Sequence, residues 1–154
     1  PVATLTKVSG TTAYDANDLI ANHATAGSVV PMQWDLGSVG ANGLISRVRV
    51  AKSSTTTSAA SFRLHLFSAA PVPANGDNGA FGVSTAANYL GVVDMDMTAD
   101  AFAGTAGLFK SFPITNGIGF RFPTLNSTIY GLLQALDTYT PASAETFDIT
   151  LEIV

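Results

Sequence analysis

The stretch Ser61 to Pro73, SFRLHLFSAAPVP, constrains this chain most. Side chains alternate across a strand, so Phe62, Leu64 and Leu66 fall on one side and Arg63, His65 and Phe67 on the other. A complete apolar face opposite a face carrying cationic or titratable groups is the signature of an antiparallel strand packed on one side only. The prolines at 71 and 73 then stop it. This is expected to be a central strand.

The same period of two recurs along the chain, and no helical period does. Leu44 to Lys52, LISRVRVAK, alternates cleanly except near Ile45, where a bulge would bring Ile45, Val48 and Val50 to one face. Tyr89 to Met97 alternates Val93, Met95 and Met97 against Asp94 and Asp96. Thr146 to Val154 alternates Phe147, Ile149, Leu151 and Ile153 against Asp148, Thr150 and Glu152. Ile129 to Leu136 is apolar enough for a buried strand. Val29 to Leu36 is a strand with Pro31 near its start, where a missing amide does no harm. Tyr14 to Ala21 suits an edge strand better than a helix, because Asn17 and Asp18 are poor in helix interiors.

Turn-rich segments separate these strands. Gly37 to Gly43 reads as a turn and Ser53 to Ser58 as a hairpin connection that pairs the Leu44 and Phe62 strands. Asn116-Gly117 marks a hairpin between Leu108–Pro113 and Ile118–Pro123. Pro71 to Gly82 and Thr98 to Gly107 read as exposed loops, and Ser84 as the cap of one helical turn reaching Asn88. The expected fold is therefore all-β: one domain over residues 1–154, an antiparallel β-sandwich of about eight strands, jelly-roll-like, with residues 1–13 available as an extended N-terminal arm.

Composition bears on partners. Charged residues are 12% of the chain and hydrophobic ones 47%, so some apolar surface is expected to be covered by other protein. The net charge is −4 and the seven cations are scattered, which argues against nucleic acid. No run is long enough to span a membrane, and no basic segment followed by an apolar one opens the chain. Pro1 is read as exposed by removal of an initiator Met, which would leave the protein in the cytoplasm where it is made. With no cysteine, thiolate metal sites and disulfides are excluded.

Chemistry-bearing residues do not converge. Asp94 and Asp96 share a strand face, where a solvated pair is commoner than a cation site. Asn75-Gly-Asp77-Asn78 lacks the acidic spacing of a calcium loop, and His23 and His65 lack any nucleophile elbow or zinc motif. No catalytic residue, metal ligand set or cofactor is expected. Trp34, Tyr89, Tyr130 and Tyr139 could form a sugar-stacking platform, the basis of an alternative reading as a carbohydrate-binding module, although core or interface packing is the commoner fate of such aromatics. Arg47, Arg49 and Arg63 would form one basic cluster on neighbouring strands, suited to a partner's carboxylates.

The segments SSTTTSAASFRLHLFSAAP, NYLGVVDMD and LLQALDTYTPASAETFDITLEIV resemble a family of small tailed-phage proteins encoded beside the major capsid protein. The resemblance implies a capsid decoration or cement protein on the outer surface of the virion head. Its partners would be the major capsid protein and copies of itself, arranged as a homotrimer. Contact residues would then come from the arm, the loops and the basic cluster: Pro1, Val2, Leu5, Arg47, Arg49, Arg63, Pro71, Pro73, Phe81 and Phe102.

Overall fold

In a computed structural model of the chain, the described residues are 1–37, 42–85, 88–122 and 127–154. Among these residues twelve strands pair antiparallel: β1 (Val2–Thr6), β2 (Leu19–Ile20), β3 (Met32–Asp35), β4 (Asn42–Lys52), β5 (Ser61–Phe67), β6 (Val72–Pro73), β7 (Val83–Thr85), β8 (Tyr89–Asp96), β9 (Phe102–Gly104), β10 (Gly107–Arg121), β11 (Thr128–Ala135) and β12 (Thr146–Ile153). The first sheet has the order β1-β12-β4-β10-β9. The second has the order β2-β11-β5-β8, with β3 beside β11 as well. Since β5 occupies one side of β11, β2 and β3 share the other and act as one interrupted strand.

Set aside the short β6, β7 and β9, and the chain alternates between sheets as a jelly roll requires. One sheet reads β1-β12-β4-β10 and the other β2/β3-β11-β5-β8, each strand crossing to the opposite sheet except the β5–β8 pair. The expected sandwich and its eight principal strands are present.

The alternating faces close on one another. Ile45, Val48 and Val50 of β4 and Phe147, Ile149 and Leu151 of β12 meet Phe62, Leu64 and Leu66 of β5, all fully or nearly fully buried. Phe62 stands edge-on to Tyr139 and Phe147, at 5.1 and 5.3 Å between ring centroids. Trp34 spans the two layers, its indole N–H donating to the Ile149 carbonyl at 2.8 Å. Gly131 makes room for that ring, since a Cβ there would come within 2.7 Å of it.

The β4 bulge lies where the pattern placed it. β12 pairs Glu152 with Arg47 and Ile153 with Ile45, leaving Ser46 as the extra residue.

Several expectations are corrected. β4 and β5 do not pair: each carries a full apolar face, and both faces are buried when the strands sit in opposite sheets rather than side by side. Asn116-Gly117 is no hairpin. Residues on both sides of it pair with β4 in one continuous direction, and 114–117 form a bulge opposite Ser46 with Gly117 at φ 63°. Val2–Thr6 is a sheet strand paired to β12, with Ala3 and Leu5 facing the core, so this part of the expected arm belongs to the domain.

The segment after Pro71 is also more ordered than a loop. β6 and β7 form a small hairpin, and Pro71 and Pro73 are buried. Phe81 and Val83 pack with Leu19, Phe67 and Leu132, covering part of the second sheet's outer surface. Thr98 to Gly107 contains β9. The turn expected at Gly37–Gly43, the helical turn from Ser84 and the strand end at Pro123 lie partly outside the described residues.

Candidate interaction face

The outer face of the first sheet is built by register. One cross-strand ladder runs Phe102–Phe109–Ala51–Asp148–Thr4 through β9, β10, β4, β12 and β1. The next outward ladder runs Ser111–Arg49–Thr150–Val2, and a third runs Pro113–Arg47–Glu152. Phe102 is 72% exposed, Phe109 46% and Val2 60%, the two rings lying 6.3 Å apart. Beside Phe109, the small side chain of Ala51 leaves a shallow groove of about 420 Å³. Arg49, Ser111, Asp148 and Thr150 line its other sides.

Charge on this face is partly neutralised from within. Glu152 pairs with both Arg47 (3.5 Å) and Arg49, and Asp148 accepts from the Thr4 hydroxyl at 2.5 Å. The result is a sheet face with exposed apolar side chains on both edge strands, Val2 and Phe102, and on β10, Phe109.

The contact residues expected from sequence separate accordingly. Val2, Arg47, Arg49 and Phe102 come together on this face, with Pro1 exposed at the start of β1. Leu5 points into the core, and Pro71 and Pro73 are buried by their own chain. Arg63 lies on the outside of the opposite sheet, so the three arginines do not form one cluster. Its guanidinium grips Asp94 with two bonds of 2.6 and 2.8 Å, which holds that carboxyl below its ordinary range. Phe81 stacks on His65 at 4.1 Å. Sequence reasoning missed Phe109 and Ala51, whose partnership depends on the β9–β10–β4 register; the aromatic on the polar side of LFKSFP was the available signal.

Elsewhere, polar groups are committed to the fold. Lys52 and Glu145 have fully buried side chains joined at 3.0 Å, and Lys52 also donates to the Tyr139 hydroxyl (3.0 Å) and the Ser54 carbonyl (2.9 Å). The Tyr139 hydroxyl donates to Glu145, and burial raises its pKa. Asp77 accepts from the Tyr14 hydroxyl (2.7 Å) and the Ala21 amide (2.8 Å), so its loop is tied to the domain. Asp96 accepts from the amide and hydroxyl of Thr98. His65 bonds Gln134 at 2.9 Å, and burial lowers its pKa. Among the described residues no group of three His, Asp or Glu is placed to hold a metal ion.

Of the two fates open to Trp34, Tyr89, Tyr130 and Tyr139, core packing and a sugar-stacking platform, the core takes two of the four. Trp34 and Tyr139 are core residues, while Tyr89 is half exposed and Tyr130 partly covered.

No protein-family model and no curated protein matches the chain. Among solved structures it is similar to an X-ray structure of a carbohydrate-binding module specific for non-crystalline cellulose. The identity is 12%, over 92% of this chain and 86% of that one, with a TM-score of 0.37.

Proposed function

We propose that the chain is a structural protein of a tailed-phage head, a decoration or cement protein that holds other protein in the assembled shell through the outer face of its first sheet. The observation that carries this reading is the pair of exposed rings, Phe102 and Phe109, side by side on a sheet face whose two arginines are paired with Glu152. Apolar side chains presented together on a sheet surface are covered in the working state more often than left in water. Burying one such ring is worth about 1.5–3 kcal/mol, and many identical copies on a shell multiply a modest contact.

The choice of a phage head rests on the resemblance of the three segments quoted above. The fold alone does not assign it, since jelly rolls host unrelated functions. The test is occupancy. Purified protein is added to expanded, tail-less heads of the phage that encodes it, prepared without the gene, and the heads are sedimented. Saturable binding that is lost on the double change Phe102→Asp and Phe109→Asp supports the reading. Absence from the head fraction, or retention of the double variant at wild-type occupancy, overturns it.

A further inference from the structure

A sheet edge presents unpaired amides and carbonyls, and four edges bound this sandwich: β1 and β9 in the first sheet, β8 and the β2/β3 line in the second. Three of them are blunted. β9 has three residues. β8 bulges at Leu90, opposite the junction of Leu66 and Phe67, and carries the exposed carboxylates Asp94 and Asp96. The β2/β3 line is broken between Ile20 and Met32, with Pro31 just before the restart, and the Asn22 side chain occupies both backbone groups of Val30 at 3.0 Å. β1 has none of these devices. Its five residues, VATLT, run without break, bulge, proline or charge.

The pairing phase fixes what that edge offers. The Leu151 amide donates to the Pro1 carbonyl and the Lys7 amide to the Glu145 carbonyl, so the odd-numbered residues of this segment bond β12. The N–H and C=O groups of Val2, Thr4 and Thr6 therefore point away from the sheet, and none has a backbone partner among the described residues. Beside this edge lies a groove of about 360 Å³, lined by residues 2–5, Asn22 and residues 30–33. Within it Ala3, Leu5 and Met32 are buried, whereas Val2 is 60% and Val30 55% exposed. No ionisable side chain lines it.

Donors and acceptors at every second residue are matched by another extended backbone, which is how a strand adds to an open sheet edge. The uncharged lining restricts the side chains, because a charge carried into the groove would lose water and find no counter-ion. We propose that β1 is a strand-addition site. Its occupant is an extended, uncharged segment of another polypeptide, pairing with Val2, Thr4 and Thr6 and laying apolar side chains against Val30 and Met32. The site is the edge of the first sheet and not its outer face, so it stands or falls separately from the shell reading.

The probe is a synthetic peptide, acetyl-KTVTVTVTK-amide, titrated into the isotope-labelled full chain and followed by NMR. Before peptide is added, the amides of Val2, Thr4 and Thr6 should exchange with solvent faster than those of Ala3 and Leu5. Saturable binding should shift the Val2, Thr4, Thr6 and Val30 signals and slow the three edge amides by about tenfold or more. Residues opposite Val2, Thr4 and Thr6 turn the same way as these do, so the threonines of the peptide bond the edge and its valines enter the groove. N-methylation of the peptide threonines should therefore abolish binding, while N-methylation of its valines leaves it intact. A peptide with Glu in place of Val should bind at least about tenfold more weakly. Thr4→Pro removes the central outward donor and no β12 bond, and should weaken binding by about tenfold. Should Thr4→Pro fold poorly, Val30→Asp still reads the contact, since it charges the groove and leaves β1 untouched. Edge amides already protected in the free chain, edge signals unmoved at millimolar peptide, or equal binding of the two methylated peptides overturns the proposal.

Discussion

Replacing Glu145 by Gln is expected to cost far more than any single change at the surface ion pairs. Glu145 and Lys52 have no side-chain exposure, and the carboxylate answers Lys52, the Tyr139 hydroxyl and the Ala142 amide at once. Gln keeps the shape but removes the charge, leaving a buried ammonium without a counter-ion. Breaking a buried pair from one side costs about 3–5 kcal/mol, because the remaining charge was desolvated on folding and is no longer compensated. At about 2–4 °C per kcal/mol for a chain of this size, the melting midpoint should fall by roughly 6–20 °C. Lys52→Met strands the carboxylate and should cost a similar amount. The double variant should recover much of either loss, since a neutral pair of similar volume has no charge to desolvate. Urea denaturation of the four proteins measures all three terms, with Asp94→Asn as the surface comparison. The exposed Arg63–Asp94 pair should contribute only about 0.2–1 kcal/mol. If Glu145→Gln costs no more than Asp94→Asn, or the double variant is simply additive, burial is not what gives the Lys52–Glu145 pair its weight.

Other perturbations have equally definite signs. His65 is held neutral by burial, so its folded pKa lies below the ordinary 6.5. Stability should be complete above pH 6.5 and decline as the pH falls from there towards the folded value, and His65→Gln should flatten that slope in pH-resolved melts. Gly131→Ala sets a methyl group against the Trp34 ring and should cost about 1–3 kcal/mol by denaturant titration. Gly117→Val combines a left-handed backbone angle with a Cβ 2.3 Å from Leu44; it should lower the melting midpoint by several degrees, whereas the same change in a hairpin turn clear of Leu44 would lack the steric part.

What could be read from the sequence was local. Alternation identified the strands around Val48, Phe62, Met95 and Ile149, because one side of each must leave water, and the mismatch at Ile45 identified a bulge. Pairing was not local. Ser53 to Ser58 is short and polar enough for a hairpin, and nothing in it says that the chain crosses to the other sheet. Asn116-Gly117 satisfies the backbone demands of a hairpin and of a bulge alike, and only the partner strand distinguishes them. The interaction face shows the same limit. Arg47, Arg49 and Phe102 could be nominated by residue type, but their grouping with Phe109, Ala51 and Val2 depends on a register across five strands. Arg63 looked like a member of that group until its strand proved to belong to the opposite sheet.

The most direct measurement of the central claim is oxidative footprinting of Phe102 and Phe109, read by mass spectrometry, on the dilute chain and on the chain assembled on heads. Both rings should react readily in dilute solution and become protected on heads, while Tyr89, half exposed on the opposite sheet, keeps its reactivity. Phe102 and Phe109 reacting as fast on heads as in the free chain would show that the face stays bare, and would contradict the account.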